Sequence, residues 1–366
     1  MKKKEFISVV SQYPLSIKIY DKEDYFTWPL IMMKNRGYNA KIVALKREGQ
    51  KDHETYKGIE IIRFSNSLKI LLYLRRHKKN SLVHAQGKIL PLFVGFFSSR
   101  SVFTTHATMG VNDSKYFSNS IFRAIYKILL SQFKKVIAIS PYEIELLKKY
   151  RFRPNYQYIP TAIDYSYFRR PFGGREIREK YKIPKTAKVI IFLGNKHKGD
   201  KTNVETLFKA FSIVRDKNIN TRLIIIGKFP PEIVNENLFK RIQKATILAG
   251  WLPHTEFIKI FDTANVFVNT STAEGNPLSV GEAVSAGIPL CLSEIPTLKS
   301  IYGNFALYHN SKDHIKLANN IIKYLENPGL RMYNVDNARK IIRSFHDYKN
   351  VYKLTSQIYN NVLKEK

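Results

Sequence analysis

The sequence predicts an α/β protein of two domains, each built on a parallel sheet covered by helices. Its 366 residues exceed the size at which a single hydrophobic core keeps growing. Short apolar runs alternate with longer amphipathic segments in both halves, the pattern of doubly wound parallel sheets. Residues 266–292 read as an uninterrupted strand, loop, helix and strand. We place the first domain at residues 1–165, the second at 166–345, and a C-terminal helix at 346–366.

In the first half, six apolar runs of four to seven residues have the length and composition of buried strands. The predicted strands are residues 6–10, 40–45, 59–64, 81–84, 101–105 and 134–140, and the predicted helices are residues 25–36, 67–77 and 141–150. Gly37 suits the left-handed position after the first helix.

The second half repeats this alternation. The predicted strands are residues 188–193, 221–227, 245–248, 266–269 and 289–292, and the predicted helices are residues 203–215, 256–263, 277–286, 314–325 and 337–366. The single cysteine, Cys291, lies in an apolar strand, which excludes a disulfide framework and favours an inert core role in a reducing compartment.

Residues 271–290 contain the best-marked helix of the chain. Asn276 is a suitable N-cap, Pro277 suits the first helical position, and Gly287 suits the left-handed position after the last turn. The helix start follows the carboxyl end of a strand, where ligands of parallel sheets bind. Its free N–H groups and partial positive charge would suit a phosphate.

Two carboxylates flank this helix start. Glu274 lies in the loop, and Glu282 lies eight positions later beside Gly281, Ala283 and Val284. Each alone is compatible with a structural or solvated role. Because the neighbours of Glu282 are small, its carboxylate needs either a protein partner or the hydroxyls of a ligand.

This arrangement resembles the Glu-x7-Glu signature of the retaining family-4 glycosyltransferases, E-G-x-P-x-x-x-x-E-A-x-A-x-G-x-P. The matching positions are Glu274, Gly275, Pro277, Glu282, Ala283, Ala286, Gly287 and Pro289. Further resemblances to the family lie at residues 36–43, 83–86, 104–106, 136–140 and 159–168. The resemblance implies the GT-B fold, in which two Rossmann-like domains face each other across a cleft.

The resemblance also implies residue roles. Glu274 would bind sugar hydroxyls and orient the anomeric carbon, Glu282 would bind the ribose hydroxyls, and His106 would contact the donor sugar. The remaining donor-site positions are Gly275, Asn276, Pro277, Leu278 and Ser279 at the helix start, Gly194 after a strand, and Gly250 and Trp251 near the nucleobase. A structural role for His106 and a core position for Trp251 stay open as alternatives.

The chain departs from the family pattern in three places. Ser11 and residues 12–16 replace the Gly-Gly loop, and Thr161-Ala162 replaces Asn-Gly. Asn195 stands where the family has a diphosphate-binding arginine. For the accompanying lysine, Lys198 preserves the Lys-Gly dipeptide and Lys201 better preserves the distance from Gly194, so we favour Lys201 without excluding Lys198.

The resemblance implies a nucleoside-diphosphate sugar as donor substrate and retention at the anomeric carbon. The Asp-x-Asp motif of metal-dependent transferases does not follow any apolar strand of this sequence. We therefore expect no metal and no further cofactor, because the helix start and a lysine can stabilise the departing diphosphate.

The formal net charge of +32 indicates an anionic partner. Residues 1–170 contain 31 basic and 12 acidic residues. The segment 115–135 repeats Phe117, Ile121, Ile125, Ile128 and Leu129 at helical spacing, and interleaves them with Lys115, Arg123, Lys127, Lys134 and Lys135. An ordinary helix packed on the sheet and an interfacial helix both fit this pattern.

We expect peripheral docking on an anionic membrane and an acceptor that is a glycan or a lipid-linked sugar. The start of the sequence lacks a secretory-signal core, and the apolar run 89–97 is too short to span a bilayer, which favours the cytoplasm and the inner membrane face. A nucleic-acid-directed protein and a GT-B sugar-nucleotide epimerase are the alternatives; recognition motifs for nucleic acid were not found.

Overall fold

The computed structural model describes residues 4–11, 28–78, 80–87, 89–106, 119–153, 155–194, 202–217, 220–229 and 237–364. The chain divides into two compact units. Unit 1 comprises residues 1–162 and 349–366, and unit 2 comprises residues 163–348. These bounds lie three residues from the predicted ones at 165 and 345.

Unit 1 is built on an eight-stranded sheet. Its strands are β1 Glu5–Val10, β2 Asn39–Leu45, β3 His53–Tyr56, β4 Ile59–Phe64, β5 Ser81–Gln86, β6 Ser101–Thr104, β7 Lys135–Ala138 and β8 Tyr156–Tyr158, and its first helices are α1 Trp28–Asn35, α2 Ser67–His77, α3 Ile89–Leu92, α4 Ser120–Ser131 and α5 Pro141–Lys149. The strand order is β3-β4-β2-β1-β5-β6-β7-β8, with β3 antiparallel to β4 and the other pairs parallel. The prediction missed the two edge strands β3 and β8, which are short and only partly buried.

Unit 2 is built on a six-stranded parallel sheet. Its strands are β9 Lys188–Leu193, β10 Thr221–Ile226, β11 Thr246–Gly250, β12 Val266–Val268, β13 Leu290–Ser293 and β14 Leu307–His309. Its helices are α6 Gly174–Lys180, α7 Val204–Asp216, α8 Asn237–Ile242, α9 His254–Phe261, α10 Leu278–Ala286, α11 Pro296–Tyr302, α12 His314–Glu326 and α13 Pro328–Ile341. The last helix of the chain, α14 Tyr348–Lys364, follows. The strand order is β11-β10-β9-β12-β13-β14. Both halves therefore have the parallel-sheet architecture that the alternation of strands and helices predicts.

The single helix predicted over residues 337–366 is wrong. The chain leaves α13 through a π-helical turn, Ile342–His346, and α14 begins at Tyr348. The interruption has a backbone cause, because Ile163 donates its N–H to the His346 carbonyl at 2.8 Å and accepts the Tyr348 N–H at 3.0 Å. Those two groups therefore bond outside the helical ladder.

The sheet of unit 1 buries a separate core on each face. Side chains of α2, α3, α4 and α5 pack with Ile7 and Val9 on one face, and side chains of α1 and α14 pack with Phe6 and Val10 on the other. Alternate residues of β1 thus point to opposite faces, as the pleat of a strand requires. Helices α2 to α5 form one layer, and α14 belongs to the opposite layer.

A buried polar chain ties α14 to the middle of the sheet. The Tyr359 hydroxyl lies 2.7 Å from His84 Nδ1, and His84 Nε2 lies 2.7 Å from the Thr104 hydroxyl. His84 thus bridges a helix and a neighbouring strand. Burial, with a smaller effect of His106, lowers the pKa of His84 to about 3, so the ring is neutral.

This histidine predicts a loss of stability in mild acid. The unfolded state, with a histidine pKa near ~6.5, binds a proton that folded His84 does not, so the free energy of unfolding decreases as the pH falls below that value, by roughly 1 kcal/mol per pH unit. Urea unfolding at about pH 7.5, 6.5 and 5.5 measures the slope. His84→Gln, which keeps polar atoms but does not titrate, should give a shallower slope, and an unchanged slope would contradict the assignment.

Candidate functional site

The loop from β12 to α10 leads from the carboxyl end of a strand in the unit 2 sheet to a helix start that has no side-chain cap. Helix α10 begins at Leu278, and its N-cap is Pro277, which makes no side-chain capping bond. The predicted cap at Asn276 is therefore wrong by one residue. The reason is that Pro277 has an extended ψ of 120° and so cannot be the first helical residue. The first N–H groups, at Leu278 and Ser279, receive no cap from Pro277.

The other end of α10 is well satisfied. Gly287 has a φ of 95°, which confirms its predicted left-handed conformation. The Arg339 guanidinium donates to the carbonyls of Val284 at 3.2 Å and Ser285 at 3.0 Å. A cation at the carbonyl end is favourable for the helix dipole, and the unpaired positive end of that dipole is the N-terminus in the loop.

Glu282 lies mostly buried in the middle of α10. Its side chain is 13% exposed, and its Oε1 lies 3.4 Å from Nε2 of His254. Next to it, a Cβ on Gly281 would lie 2.0 Å from Cδ1 of Ile163, so a larger residue there would displace the end of that side chain. His254 was not recognised in the sequence, because a lone histidine at a helix start carries no spacing signal.

Glu274 is held in the loop by an amide at the end of β12. Asn269 is buried, and its Nδ2 donates to Ser271 Oγ at 3.1 Å and lies 3.5 Å from Glu274 Oε1. Its Oδ1 accepts the Ser271 N–H at 3.2 Å. Asn269 therefore organises both the first turn of the loop and the half-buried carboxylate. In the sequence, the position of an amide residue at the end of an apolar strand was the feature that could have indicated this role.

Gly194 brings a second strand end to the same loop. A Cβ at Gly194 would lie 2.9 Å from Thr202 and 3.0 Å from the Phe192 ring. Thr202 forms an isolated antiparallel bridge with Ser271. The two flanks of the predicted basic loop thus lie beside the start of the motif loop. The predicted residues between them, Asn195, Lys198 and Lys201, lie outside the described residues.

Gly250 ends β11 and Trp251 follows it, at the same edge of the sheet. Gly250 has a φ of 70°, and its carbonyl accepts the Gly227 N–H at 2.8 Å. Trp251 is 51% exposed, so the alternative of a core position is wrong. Three residues later, His254 contacts Glu282, which links the end of β11 to α10.

In unit 1, His106 follows β6 in a left-handed conformation, with a φ of 41°. That conformation is uncommon for a residue other than glycine and concentrates at functional sites. His106 Nε2 lies 3.0 Å from Gln86 Oε1, and Gln86 Nε2 donates to Ser8 Oγ at 3.1 Å. Because the amide oxygen only accepts, Nε2 carries the proton.

Burial lowers the pKa of His106 to about 3, so its ring is neutral. Together with His84, Gln86 and Thr104 it lines a cavity of ≈ 40 Å³ within unit 1. Its predicted contact with a donor sugar stays a prediction. Gln86, which fixes its tautomer, was not recognised as a site residue.

Two family comparisons match successive parts of the chain. Residues 32–167 match Glycosyltransferase Family 4, and residues 174–341 match Glycosyl transferases group 1. The chain belongs to the family-4 glycosyltransferases. The two units also have the GT-B fold of this family, which the resemblance of the motifs implied.

Individual proteins are also similar to this chain in sequence or in fold. The α-monoglucosyldiacylglycerol synthase of Streptococcus pneumoniae is 25% identical over 186 residues, which cover 48% of this chain and 42% of that protein. The chain thus spans less than half the length of this curated relative. Sucrose-phosphate synthase from Thermosynechococcus elongatus superposes with a TM-score of 0.78 at 17% identity, covering 99% and 100% of the two chains. Anabaena HepE, solved with UDP, superposes with a TM-score of 0.75 at 13% identity, covering 98% and 100%. These structures are similar in fold.

We expect Glu282→Gln to weaken nucleoside-diphosphate binding by about 10- to 100-fold and to leave the melting temperature nearly unchanged, because a hydrogen bond to a charged group contributes about 1.5–3 kcal/mol. Calorimetric titration with UDP, GDP and ADP measures the affinity. Glu326→Gln, at the exposed end of α12, is the matched control. Equal affinities of Glu282→Gln and the unmodified chain would exclude Glu282 as the ribose ligand.

Proposed function

We propose that this chain transfers a sugar from a nucleoside-diphosphate sugar to an acceptor hydroxyl, with retention at the anomeric carbon and without a metal ion. The observation that carries the proposal is the uncapped start of α10, with Glu274 in the loop before it and Glu282 about one turn into the helix. A positive helix end between two carboxylates suits a ligand with a diphosphate in its middle and hydroxyl groups at both ends.

Each part of the donor has a residue that can bind it. The N–H groups of Leu278 and Ser279 would bind the diphosphate, supported by Lys198 or Lys201. Glu282 would accept hydrogen bonds from the ribose, and Glu274 would accept them from the sugar. The exposed Trp251 and the backbone of Gly250 would contact the nucleobase, for which the exposure of the indole leaves room.

The transfer exchanges one bond at the anomeric carbon for another on the same face. The bond from this carbon to the diphosphate oxygen breaks, and its electron pair stays on that oxygen. The acceptor hydroxyl oxygen then bonds to the anomeric carbon, and its proton passes to the departing diphosphate. The helix start and a lysine stabilise the charge that develops on the phosphate, which is the task that a metal has in other transferases.

Product analysis tests this chemistry. Purified full chain is incubated with labelled sugar nucleotides and candidate acceptors, and the anomeric configuration of the product is read by NMR. We expect a glycoside of the donor's own anomeric configuration, formed equally fast in EDTA. An inverted product would exclude retention, and activity lost in EDTA and restored by Mg²⁺ or Mn²⁺ would exclude metal independence. Conversion of the sugar nucleotide without an acceptor would favour an epimerase.

We further propose that the acceptor is membrane-borne and that unit 1 docks on an anionic membrane from the cytoplasmic side. Helix α4 packs on the sheet through Tyr126, Leu129 and Leu130. Its outer side carries Ile121, Ile125 and Ile128, which are 69%, 52% and 57% exposed. The apolar residues that the sequence places at helical spacing therefore do not share one environment, because Leu129 lies in the core and the three isoleucines lie at the surface. Lys115 and Phe117 lie outside the described residues.

The same layer of unit 1 exposes four further large apolar side chains. Leu68 and Leu72 lie on α2, and Phe93 and Phe96 lie in and beside the short helical segment after α3. Residues 65–142, which include these segments, contain twelve lysines and arginines and one acidic residue, Asp113. Exposed apolar side chains among basic ones are typical of surfaces that lie in the interface of an anionic bilayer.

Basic residues near an anionic leaflet contribute about 1 kcal/mol each, so a few of them suffice for reversible docking. The Streptococcus pneumoniae relative, whose name denotes a glycosyl diacylglycerol, is consistent with a lipid acceptor. Within the described ranges, none of the helices combines the length and apolar character that crossing a bilayer requires.

Vesicle sedimentation tests the docking. With vesicles of phosphatidylglycerol and phosphatidylcholine, we expect the chain to pellet at low salt and to be released at high salt. Replacing Ile121, Ile125 and Ile128 together by serine should weaken binding about ten-fold or more, because their apolar surface would no longer enter the bilayer. The control replaces Ile315 and Met332, which are equally exposed in unit 2, by serine. A chain that stays in the supernatant at low salt would exclude membrane docking.

A further inference from the structure

His254 begins α9 with a ring orientation that is set by two aromatic neighbours. The Phe168 ring lies 6.0 Å away at 81°, and the Phe257 ring lies 4.8 Å away at 88°. Both are edge-to-face arrangements, which favour one ring orientation over others. The His254 side chain is 27% exposed, so it is accessible at the surface of unit 2 and is yet held from two sides.

This orientation directs Nε2 at Glu282. The separation of His254 Nε2 and Glu282 Oε1 is 3.4 Å, and an ionised carboxylate only accepts hydrogen bonds, so the histidine nitrogen is the donor. Within the part of the chain that the structure describes, His254 is the side chain that hydrogen-bonds Glu282. The bond occupies Oε1, and Oε2 keeps its acceptor capacity for another group.

The carboxylate itself has little freedom to move as a whole. The backbone of α10 at Gly281 lies in close contact with Ile163, and Arg339 holds the end of the same helix. The χ angles of the Glu282 side chain remain, and the hydrogen bond from His254 restricts them. Loss of this bond would leave the helix in place and release the carboxylate.

We propose that His254 is a positioning residue that holds Glu282 in the rotamer required to accept both ribose hydroxyls, and that it thereby sets the preference of the site for ribonucleotides over deoxyribonucleotides. The proposal rests on the proposed function, in which Glu282 binds the donor ribose. A carboxylate with one oxygen held and the other directed at adjacent hydroxyls rejects a ligand that lacks one of them, since an acceptor would be left unpaired.

The selectivity of the chain for ribonucleotides over deoxyribonucleotides, rather than its stability, tests the positioning role of His254. Calorimetry first identifies which of UDP, GDP and ADP the full chain binds most tightly, and then compares that nucleotide with its 2′-deoxy and 3′-deoxy analogues. We expect the unmodified chain to bind at least one analogue about ten-fold or more weakly. In His254→Phe, which keeps the aromatic packing and removes the donor, the ribonucleotide affinity should fall to near that of the analogue, whose own affinity should change little.

Two variants separate positioning from structure. His254→Gln restores an N–H donor without the ring and should recover part of the ribonucleotide preference. His314→Phe replaces the histidine that begins α12 in the same unit and should leave the preference unchanged. Melting temperatures of all variants report on the fold.

Several results would overturn the proposal. Equal ratios of ribonucleotide to deoxyribonucleotide affinity in His254→Phe and the unmodified chain would do so, and so would parallel loss of both affinities, which indicates a structural role alone. If the unmodified chain binds none of the three nucleotides, the proposed function fails as well, and this result differs from a failure of the His254 role by itself.

Discussion

The close approach of Ile163 to α10 is the constraint on which the candidate donor site depends. At Gly281 a β-carbon would require the end of the Ile163 side chain to shift, and overpacking of a core typically costs about 1–3 kcal/mol. The backbone of Ile163 also bonds on both sides of Asp347, which ends the helical ladder between α13 and α14. Ile163, the first residue of unit 2, thus positions α10 and interrupts the helical run from α13 to α14. Glu282 follows Gly281 directly, so the position of its carboxylate derives from this contact.

Helix α10 has opposite conditions at its two ends, and this asymmetry accounts for its suitability as an anion site. Arg339 and the left-handed Gly287 satisfy the carbonyl end, whereas Pro277 offers the amino end no acceptor. A serine or aspartate at position 277 would cap the first turn, and it would compete with a bound phosphate for the same N–H groups. Without a side-chain cap, α10 is therefore less stable than a capped helix by about 0.5–2 kcal/mol, at the point where the diphosphate is proposed to bind.

The sequence predicted those parts of the fold that local patterns determine. The bounds of α2 and β9 agree with the prediction, because an Asn cap and a run of buried β-branched residues mark them. The edge strands β3 and β8 were missed because they bury little apolar surface and resemble loops. The motif loop was recognised by its spacing, but the contact of His254 with Glu282 joins positions 28 residues apart. No local pattern encodes such a contact, since the order of the strands in the sheet brings the two helices together.

In the proposed function, basic residues have two electrostatic roles: donor binding in unit 2 and attraction to an anionic surface in unit 1. Under this proposal, the start of α10 and one or two lysines of unit 2 bind the diphosphate. The twelve lysines and arginines against one acid in residues 65–142 exceed that requirement and belong to unit 1, together with its exposed isoleucines. Contacts of a buried or half-buried site are little screened by salt, whereas a charged surface acts over about one Debye length of ~8–10 Å. The excess charge is therefore better explained by an extended anionic surface than by the donor, and apolar side chains among the basic ones favour a bilayer over a nucleic acid as that surface.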